Sequence, residues 1–283
     1  MSFQIQRNVA RGLSVSAAYN YQQAQDRNSV TSSQAQSQMS FLAVAGDPNS
    51  PPLTTSDYEI THRAFISASF VWEFFKNAPT TISLFYNVQS GRKFSFTSQS
   101  GSITTGTNTT DLNGDNYPGN DLFYIPRNAN EILVGKITGG QFVPATASGT
   151  TYADLDAFIK NDPYLSENRG KIAERNGATA PARSYVDMHI QQEIPDFLGL
   201  GAFQVSLDIA NVLNLINSDW GKVQDVDSFN DTRNVVSYQG RVTYNGYTNV
   251  PVYSFSKTAN GTPYSYDDLS SRWQMQFNVR YAF

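Results

Sequence analysis

A strict alternation between apolar and polar side chains runs through seven segments of this 283-residue chain. It is clearest in the last twelve residues, "RWQMQFNVRYAF", where every second residue from Trp273 to Phe283 is large and apolar. Because successive side chains of a strand point to opposite sides, the pattern predicts β-strands with one apolar and one polar face. The other six segments lie around residues 2–7, 13–22, 62–74, 80–90, 183–194 and 202–214.

The composition fits strands of this kind in a lipid bilayer. Charged residues make up 16% of the chain, against the ~25% typical of soluble domains, and the chain contains 16 Tyr and 18 Phe. A net charge of −4 does not favour a basic face for phosphate groups, so we expect no nucleic-acid partner. No apolar run approaches the ~18 residues that a membrane-spanning helix needs. The absence of cysteine excludes disulfides and thiolate-bound metals.

The connections between the seven segments alternate in length. Short turns are predicted at "NVARG", "FKNAP" and "PDFLGLG", whereas long polar segments fill residues 23–61, 98–182 and 214–271. Short turns at one end and long loops at the other are typical of outer-membrane barrels, and a soluble sandwich has no such asymmetry. The sequence therefore predicts an all-β fold: an antiparallel transmembrane β-barrel segment of about seven strands, with short periplasmic turns and long extracellular loops.

The number of strands limits how such a barrel can close. Bacterial barrels have an even number of strands, from about eight upward, and an unpaired edge in lipid leaves backbone groups without hydrogen-bond partners. We therefore expect the chain to be a piece of a larger barrel, or to receive strands from another chain. Within the long segments, the pattern predicts a short helix in 153–165 and a strand pair in 235–256.

A series of stretches carries a family resemblance: "RNVARGLSVSAAYNYQQAQD", "DYEITHRAFISASF", "FFKNAPTTISLFYNVQSGRKFSF", "DLNGDNYPGNDLFYIPR", "RSYVDMHIQQEI", "LDIANVLNLINSDWG" and the terminal strand. In this order, and over nearly the whole chain, they resemble the C-terminal part of the barrel of Oar-like TonB-dependent outer-membrane receptors. The resemblance implies a 22-stranded barrel around a plug. It also implies a receptor that moves a bulky ligand across the outer membrane of a Gram-negative bacterium with energy supplied through TonB.

The same resemblance implies several parts and partners. A plug, a TonB box and a signal peptide are not recognisable in residues 1–283, so we expect the chain to be the C-terminal portion of the barrel. The implied partners are outer-membrane lipid, the barrel-assembly machinery, the plug and TonB of the full-length receptor, and a ligand that the sequence does not identify.

The last strand has the pattern that the assembly machinery recognises in outer-membrane proteins of this kind, at Phe277, Val279, Tyr281 and Phe283. Recognition by strand addition would explain it, because backbone bonds supply affinity and alternate side chains supply identity. The alternative is an ordinary amphipathic strand that ends on Phe by chance.

The stretch "DLNGDNYPGND" is a candidate metal site. Asp111, Asn113 and Asp115 occupy alternate positions and Asp121 follows six residues later, and oxygen ligands at positions 1, 3 and 5 of a tight loop suit calcium. Asn116 stands where an EF-hand has glycine, and Leu122 stands where it has the bidentate glutamate. Two interpretations stay open: a structural calcium site, and a loop held by side-chain-to-backbone hydrogen bonds.

The polar face of the strands is predicted to line the barrel lumen and to contact the plug. Charged residues within strands, such as Glu73 and Arg280, are expected to turn to this face, because Arg at the lipid midplane costs ~2–4 kcal/mol. The predicted lumen-facing residues are Asp187, His189, Gln191, Glu193, Gln204, Asp208, Gln274, Gln276, Asn278 and Arg280.

The sequence gives little support for catalysis. It contains only two histidines, His62 and His189, and no nucleophile motif or phosphate-binding glycine loop. His189 follows Asp187 at strand spacing, but we expect a solvated wall residue rather than a Ser/His/Asp device. We therefore expect no enzyme and no cofactor beyond the calcium considered above. A soluble β-rich carbohydrate-binding module, whose apolar faces would pack on each other, and an outer-membrane lipase or protease stay open as alternatives.

Overall fold

One antiparallel sheet contains all seven predicted membrane strands. The computed structural model describes residues 1–99, 111–117, 119–195, 202–226, 231–258 and 261–282. Each strand of the sheet pairs with the one before it and the one after it along the chain. With strands numbered in chain order, they are β1 (Ser2–Ala10), β2 (Leu13–Tyr21), β5 (His62–Phe75), β6 (Ala78–Gln89), β11 (Arg183–Ile194), β12 (Ala202–Ala210) and β17 (Gln274–Ala282).

Several strand ends differ from the prediction by one to four residues, and the largest difference is at the end of β12. The strand β12 ends at Ala210, four residues before the end of the alternating pattern, because Asn211 takes a left-handed conformation with φ 52°. A short helix, α4 (Val212–Ile216), follows. The strand β17 begins at Gln274, one residue after Trp273.

The short connections all lie at one end of the sheet. Residues 11–12 join β1 to β2, residues 76–77 join β5 to β6, and the connection from β11 to β12 begins at Pro195. Gly12 has φ 80°, and a Cβ there would lie 2.3 Å from the carbonyl oxygen of Val71. Only glycine fits this turn, since the neighbouring strand passes so close.

The apolar face of the sheet is uncovered. Cross-strand pairs such as Leu207–Phe277 and Ile66–Tyr86 place the large apolar side chains on one face. Phe277 is 66% exposed, whereas the core side chains of a soluble sheet are sealed against a second layer. The exposed members of this face are Phe3, Ile5, Tyr19, Ile66, Phe70, Trp72, Ile82, Leu84, Tyr86, Ile194, Phe203, Met275, Phe277, Val279 and Tyr281.

The long segments build a second, mixed sheet at the other end. Its strand order is β10 (Ala178–Thr179), β7 (Lys93–Gln99), β14 (Thr232–Tyr244), β15 (Tyr247–Phe255), β8 (Leu133–Thr138) and β9 (Gln141–Pro144). Its strands β7 and β14, and also β15 and β8, are parallel neighbours. The predicted strand pair in 235–256 is present as β14 and β15.

Two helices pack on the second sheet: α2 (Tyr152–Asn161) and α3 (Pro163–Glu167). The sequence predicted one helix in 153–165, and the structure has two. The break lies at Asp162, whose side chain caps the N-terminus of α3. We call this sheet together with α2 and α3 the outer module. It has its own hydrophobic core, formed by Phe94, Phe96, Phe123, Ile125, Ile132, Val134, Leu155, Phe158, Ile159, Leu165, Ala173, Ala178, Val226, Val235, Val236, Tyr238, Tyr253 and Phe255.

Small elements complete the long segments. Their bounds are β3 (Gln25–Asp26), α1 (Ala35–Ser40), β4 (Thr54–Thr55), β13 (Val223–Asp225), β16 (Ser265–Asp267) and α5 (Asp268–Ser271), where β3 pairs with β4 and β13 with β16. Within the described ranges, every helix is too short or too polar to cross a bilayer.

Candidate functional site

The polar face of the seven-stranded sheet brings the predicted lumen-facing residues together. All ten lie on β11, β12 and β17, in cross-strand rows such as Glu193–Gln204–Arg280. The face therefore has the polarity that a wet lumen requires. That these residues line a closed lumen stays a prediction, because β1 and β17 are the two free edges of the sheet formed by the described residues.

Hydrogen bonds connect these rows across neighbouring strands. Nδ1 of His189 donates to Asp208 over 2.6 Å, and the other carboxylate oxygen of Asp208 accepts the Asn278 amide at 2.9 Å. Ser83 stands opposite His189 but donates its hydroxyl proton to Ser69 at 2.9 Å. The described contacts thus form a polar wall in which His189 and Ser83 are not hydrogen-bonded to each other, so they give no nucleophile–base pair.

Apart from Arg7, the polar residues of the described apolar face lie towards its rims. At one rim, Tyr19 and His62 form a 2.7 Å hydrogen bond, and at the other Thr80 donates to Gln192 over 2.5 Å. From His62 to Trp72 the strand β5 rises ~33 Å at ~3.3 Å per residue. A tilt of ~40° reduces this to ~25 Å, the height of the apolar band of outer-membrane barrels.

One charged residue departs from the expectation that charges turn to the polar face. Arg7 pairs with Val15 and shares the apolar face with Phe3 and Ile5. It lies near the short turn at residues 11–12, where its long side chain can extend to the membrane–water boundary while its methylene groups stay in contact with apolar surface.

Three of the four residues of the predicted assembly signal lie on one face of the terminal strand. Phe277, Val279 and Tyr281 are 66%, 59% and 48% exposed and lie on the apolar face of β17. The ring of Tyr281 packs on Phe203, with centroids 4.9 Å apart. Phe283 lies outside the described residues, and recognition by the assembly machinery stays a prediction.

The Asp/Asn loop is held by side chains that accept backbone amides. Asp111 accepts the amides of Gly114 and Asn116 at 2.7 Å each, and Asp115 accepts the amide of Tyr117 at 2.7 Å. Asn116, at the glycine position of an EF-hand loop, has φ 68°. The loop therefore has the side-chain-to-backbone bonds of the second interpretation, and it also takes the left-handed turn that a calcium loop needs at this position.

Asp121 differs from the other acidic residues of this loop. Its two oxygens accept the amides of Leu112 and Asn113 at 3.1 and 3.2 Å, and the residue is 2% exposed. Burial, helped by the negative charges of Asp111 and Asp115, raises the pKa of Asp121 to about 6 against the opposing effect of the two amides. Over the part of the chain that the structure describes, no three Asp, Glu, His or Cys side chains already converge as a metal site.

A buried arginine that no sequence pattern had indicated joins the first and second long segments. Arg175 is 5% exposed and donates to the side chain of Asp26 at 2.7 Å, to the carbonyl of Asp26 at 2.6 Å and to Thr54 at 3.0 Å. Burial tends to raise the pKa of Asp26, but hydrogen bonds from Ser56, Arg175 and Ser29 outweigh it and lower the pKa.

Further ion pairs join the remaining segments. Asp225 of β13 contacts both Arg183 at the start of β11 and Arg92, and Lys93 lies 3.4 Å from Glu59. In the structure the connection from β6 to β11 begins at residue 90, so Arg92 and Lys93 belong to it. The ion pairs therefore link all three long connections to one another and to the end of the membrane sheet. These ion pairs join residues that are far apart in the chain, so no local sequence pattern could predict them.

An antiparallel sheet with one uncovered apolar face, one hydrogen-bonded polar face and a folded module at the long-loop end defines an integral β-barrel protein of the outer membrane. The chain belongs to the family described as "Outer membrane beta barrel domain", which it matches over residues 1–228. This confirms the predicted fold class and places the protein in the outer membrane of a Gram-negative bacterium. Comparisons with curated proteins and with solved structures gave no match.

Proposed function

We propose that this chain is the C-terminal barrel portion of a TonB-dependent receptor of the Oar-like type. Such a receptor moves a bulky ligand across the outer membrane with energy supplied through TonB. The proposal rests on the ordered resemblance of the strand sequences and on their arrangement as a meander with all long connections at one end. Because β1 and β17 are free edges of the described sheet, we infer that further strands complete the barrel.

The observation that carries the proposal is the exposure of the apolar face beside a hydrogen-bonded polar face. A residue such as Phe277, 66% exposed, adjoins Gln276, which donates to Asn278 at 2.7 Å. Hydrocarbon on one side and water on the other satisfies both faces at once. A wet interior lined by amides and charges is what a transport path for polar cargo requires.

The outer module suits first contact with the ligand. Loops carry binding residues best when a rigid scaffold positions them, and the long segments here share a buried core and the Arg175–Asp26 ion pair. We infer that the module is ordered before ligand arrives, which reduces the entropy lost on binding.

The soluble carbohydrate-binding alternative predicts that the apolar faces pack on each other. In the described residues the outer module packs around its own core, and the membrane strands keep their apolar face uncovered. That observation favours the membrane protein.

Single-cysteine labelling tests the proposal, because the chain has no cysteine of its own. Gln276→Cys and Phe277→Cys are adjacent and differ only in the face they occupy. In outer membranes of the producing bacterium, a membrane-impermeant maleimide should label Gln276→Cys, and only a lipid-soluble maleimide should label Phe277→Cys. Equal labelling of both positions by the impermeant reagent would contradict the membrane-barrel assignment.

The same pair tests the dependence on TonB. If energised opening changes access to the lumen, the labelling rate of Gln276→Cys should differ between energised cells and cells treated with a protonophore. The rate of Phe277→Cys with the lipid-soluble reagent should not differ. An unchanged rate at both positions would reject TonB coupling while leaving the barrel assignment in place.

A further inference from the structure

The loop of residues 111–117 and the neighbouring Asn120 carry several side chains whose oxygen atoms can bind a cation. The carboxylate of Asp111 holds the amides of Gly114 and Asn116, which folds the loop back on itself. The carboxylate of Asp115 lies against the amide groups of Asn113 and Asn120, at 3.1 and 2.9 Å. Two carboxylates and two side-chain amides thus stand in one short stretch of chain.

Asn120 points to a ligand independently of the acidic residues. It is 2% exposed, and its amide nitrogen is turned to Asp115 at 2.9 Å. Its amide oxygen is buried and has no hydrogen-bond partner among the described residues. A buried amide oxygen without a partner destabilises the fold, because it has lost its hydrogen bonds to water. A half-turn of the amide exchanges its oxygen and nitrogen, so the oxygen could face a cation held beside Asp115.

We propose that this loop binds one Ca²⁺ ion through the carboxylates of Asp111 and Asp115 and the amide oxygens of Asn113 and Asn120. Calcium accepts six to eight oxygen ligands in a flexible arrangement, and four side chains from one loop leave room for backbone carbonyls and water. A set of two carboxylates and two amides also agrees with the lack of three converging acidic groups among the described residues. The proposal does not depend on the transport function.

Asp121 is a positioning residue in this proposal rather than a ligand. It is 2% exposed and both of its oxygens accept the amides of Leu112 and Asn113, so it fixes the start of the loop. Asp111 also accepts two backbone amides, but it is only partly buried, so the remaining lone pairs of its carboxylate stay open to an ion. This assignment differs from the sequence prediction, which placed Asp121 among the ligands.

The ion would tie the loop to the first long segment. The carbonyl of Asn120 accepts the amide of Val44 at 3.0 Å, and the side chain of Asn113 donates to the carbonyl of Gly46 at 3.2 Å. Both asparagines are proposed ligands, so a bound ion would hold residues 44–46 and the loop in one arrangement.

Tyrosine-sensitised terbium luminescence tests the site, because Tyr117 lies within the loop and Tb³⁺ takes calcium sites. On the purified, folded chain in detergent, Tb³⁺ should give a saturable signal that Ca²⁺ displaces at ~10⁻⁴ to 10⁻³ M, the affinity range of extracellular calcium modules. The double variant Asp111→Asn/Asp115→Asn should lose at least about tenfold in affinity. Asp219→Asn, at a surface carboxylate that is 80% exposed, is the matched control and should bind as the parent does.

A second measurement covers the case in which the double variant fails to fold. Ca²⁺ should protect the unaltered chain from proteolysis in residues 111–121, and the same concentration of Mg²⁺ should protect it less. Absence of saturable Ca²⁺ binding by calorimetry up to ~10 mM, ten times the weakest affinity expected, would overturn the proposal. So would equal Tb³⁺ binding by the folded double variant and the control.

Discussion

Replacing Arg175 by methionine should detach the paired strands β3 and β4 from the segment that contains Arg175, without unfolding the membrane sheet. Methionine keeps most of the volume of the buried stem but removes the guanidinium. That group donates to Asp26 twice, at 2.6 and 2.7 Å, and to Thr54 at 3.0 Å. Because Asp26, Thr54 and Arg175 lie in different parts of the first and second long segments, the loss is expected to act where those segments meet.

The size of the effect follows from burial. Removing one partner of a buried ion pair costs ~3–5 kcal/mol when the other charge stays buried. Here the side chain of Arg175 is 6% exposed and that of Asp26 is 27% exposed, so water can partly rehydrate the carboxylate. We therefore expect the free energy of local opening of the β3–β4 pair to fall by about 2 to 4 kcal/mol, which corresponds to amide exchange at least ~30-fold faster.

Hydrogen–deuterium exchange of peptides that contain residues 25–26 and 54–55 measures this directly. The matched control is Arg127→Met, because Arg127 is 64% exposed and its nearest acidic partner, Glu131, is 3.5 Å away. An exposed ion pair of that kind contributes at most ~1 kcal/mol to the free energy of unfolding. Equal exchange in the two variants, or loss of protection throughout β17 in Arg175→Met, would refute the reasoning.

Three further results are expected. In a calcium chelator, the stability of the outer module should fall by on the order of 3 kcal/mol as pH rises from ~3 to ~7. The raised pKa of Asp121, about 6, means that the folded state binds its proton more tightly than the unfolded chain does; Asp121→Asn should flatten this slope in thermal denaturation at several pH values. Phe277→Lys should cost ~2–4 kcal/mol of membrane stability, whereas Gln276→Lys should cost little, as measured by urea unfolding in lipid vesicles; similar costs would contradict the two-faced sheet. Phe283→Asp should block membrane assembly while expression continues, as judged by the heat-modifiable band on gels, and normal insertion would reject the assembly signal.

The membrane strands could be predicted because their signal is local. Neighbouring side chains of a strand point to opposite faces whatever the rest of the chain does, so Gln276 and Phe277 are separated by geometry alone. The end of β12 was harder to place, since Leu213 continues the alternation but Asn211 turns the chain into α4 through a left-handed φ of 52°. A single backbone conformation stopped a pattern that side-chain polarity would have continued.

The outer module could not be predicted beyond a helix and a strand pair. Its core joins Phe96 of β7, Leu155 of α2 and Val236 of β14, which belong to two different long segments. The register aligns Phe96 with Arg233 in a parallel pair, and such pairing follows from packing over long sequence separations. Segments that are polar on average can still contain enough apolar residues for a core, and average composition does not locate them.

The candidate calcium site could also be predicted only in part from the sequence. The spacing of Asp111, Asn113 and Asp115 indicated a cation loop, but spacing could not distinguish a ligand from a residue that binds backbone amides. Only the folded loop separates the buried Asp121, which accepts two amides, from Asn120, whose amide oxygen is buried without a partner among the described residues.

The sequence by itself determined which side chains face lipid and which face the polar side, because the period of two is a property of the extended backbone. Tertiary structure alone decided how the long segments meet, through the shared core and the pairing of Arg175 with Asp26. The physical reason is range: alternation acts between adjacent residues, whereas burial and charge pairing act between residues that only the completed fold brings together.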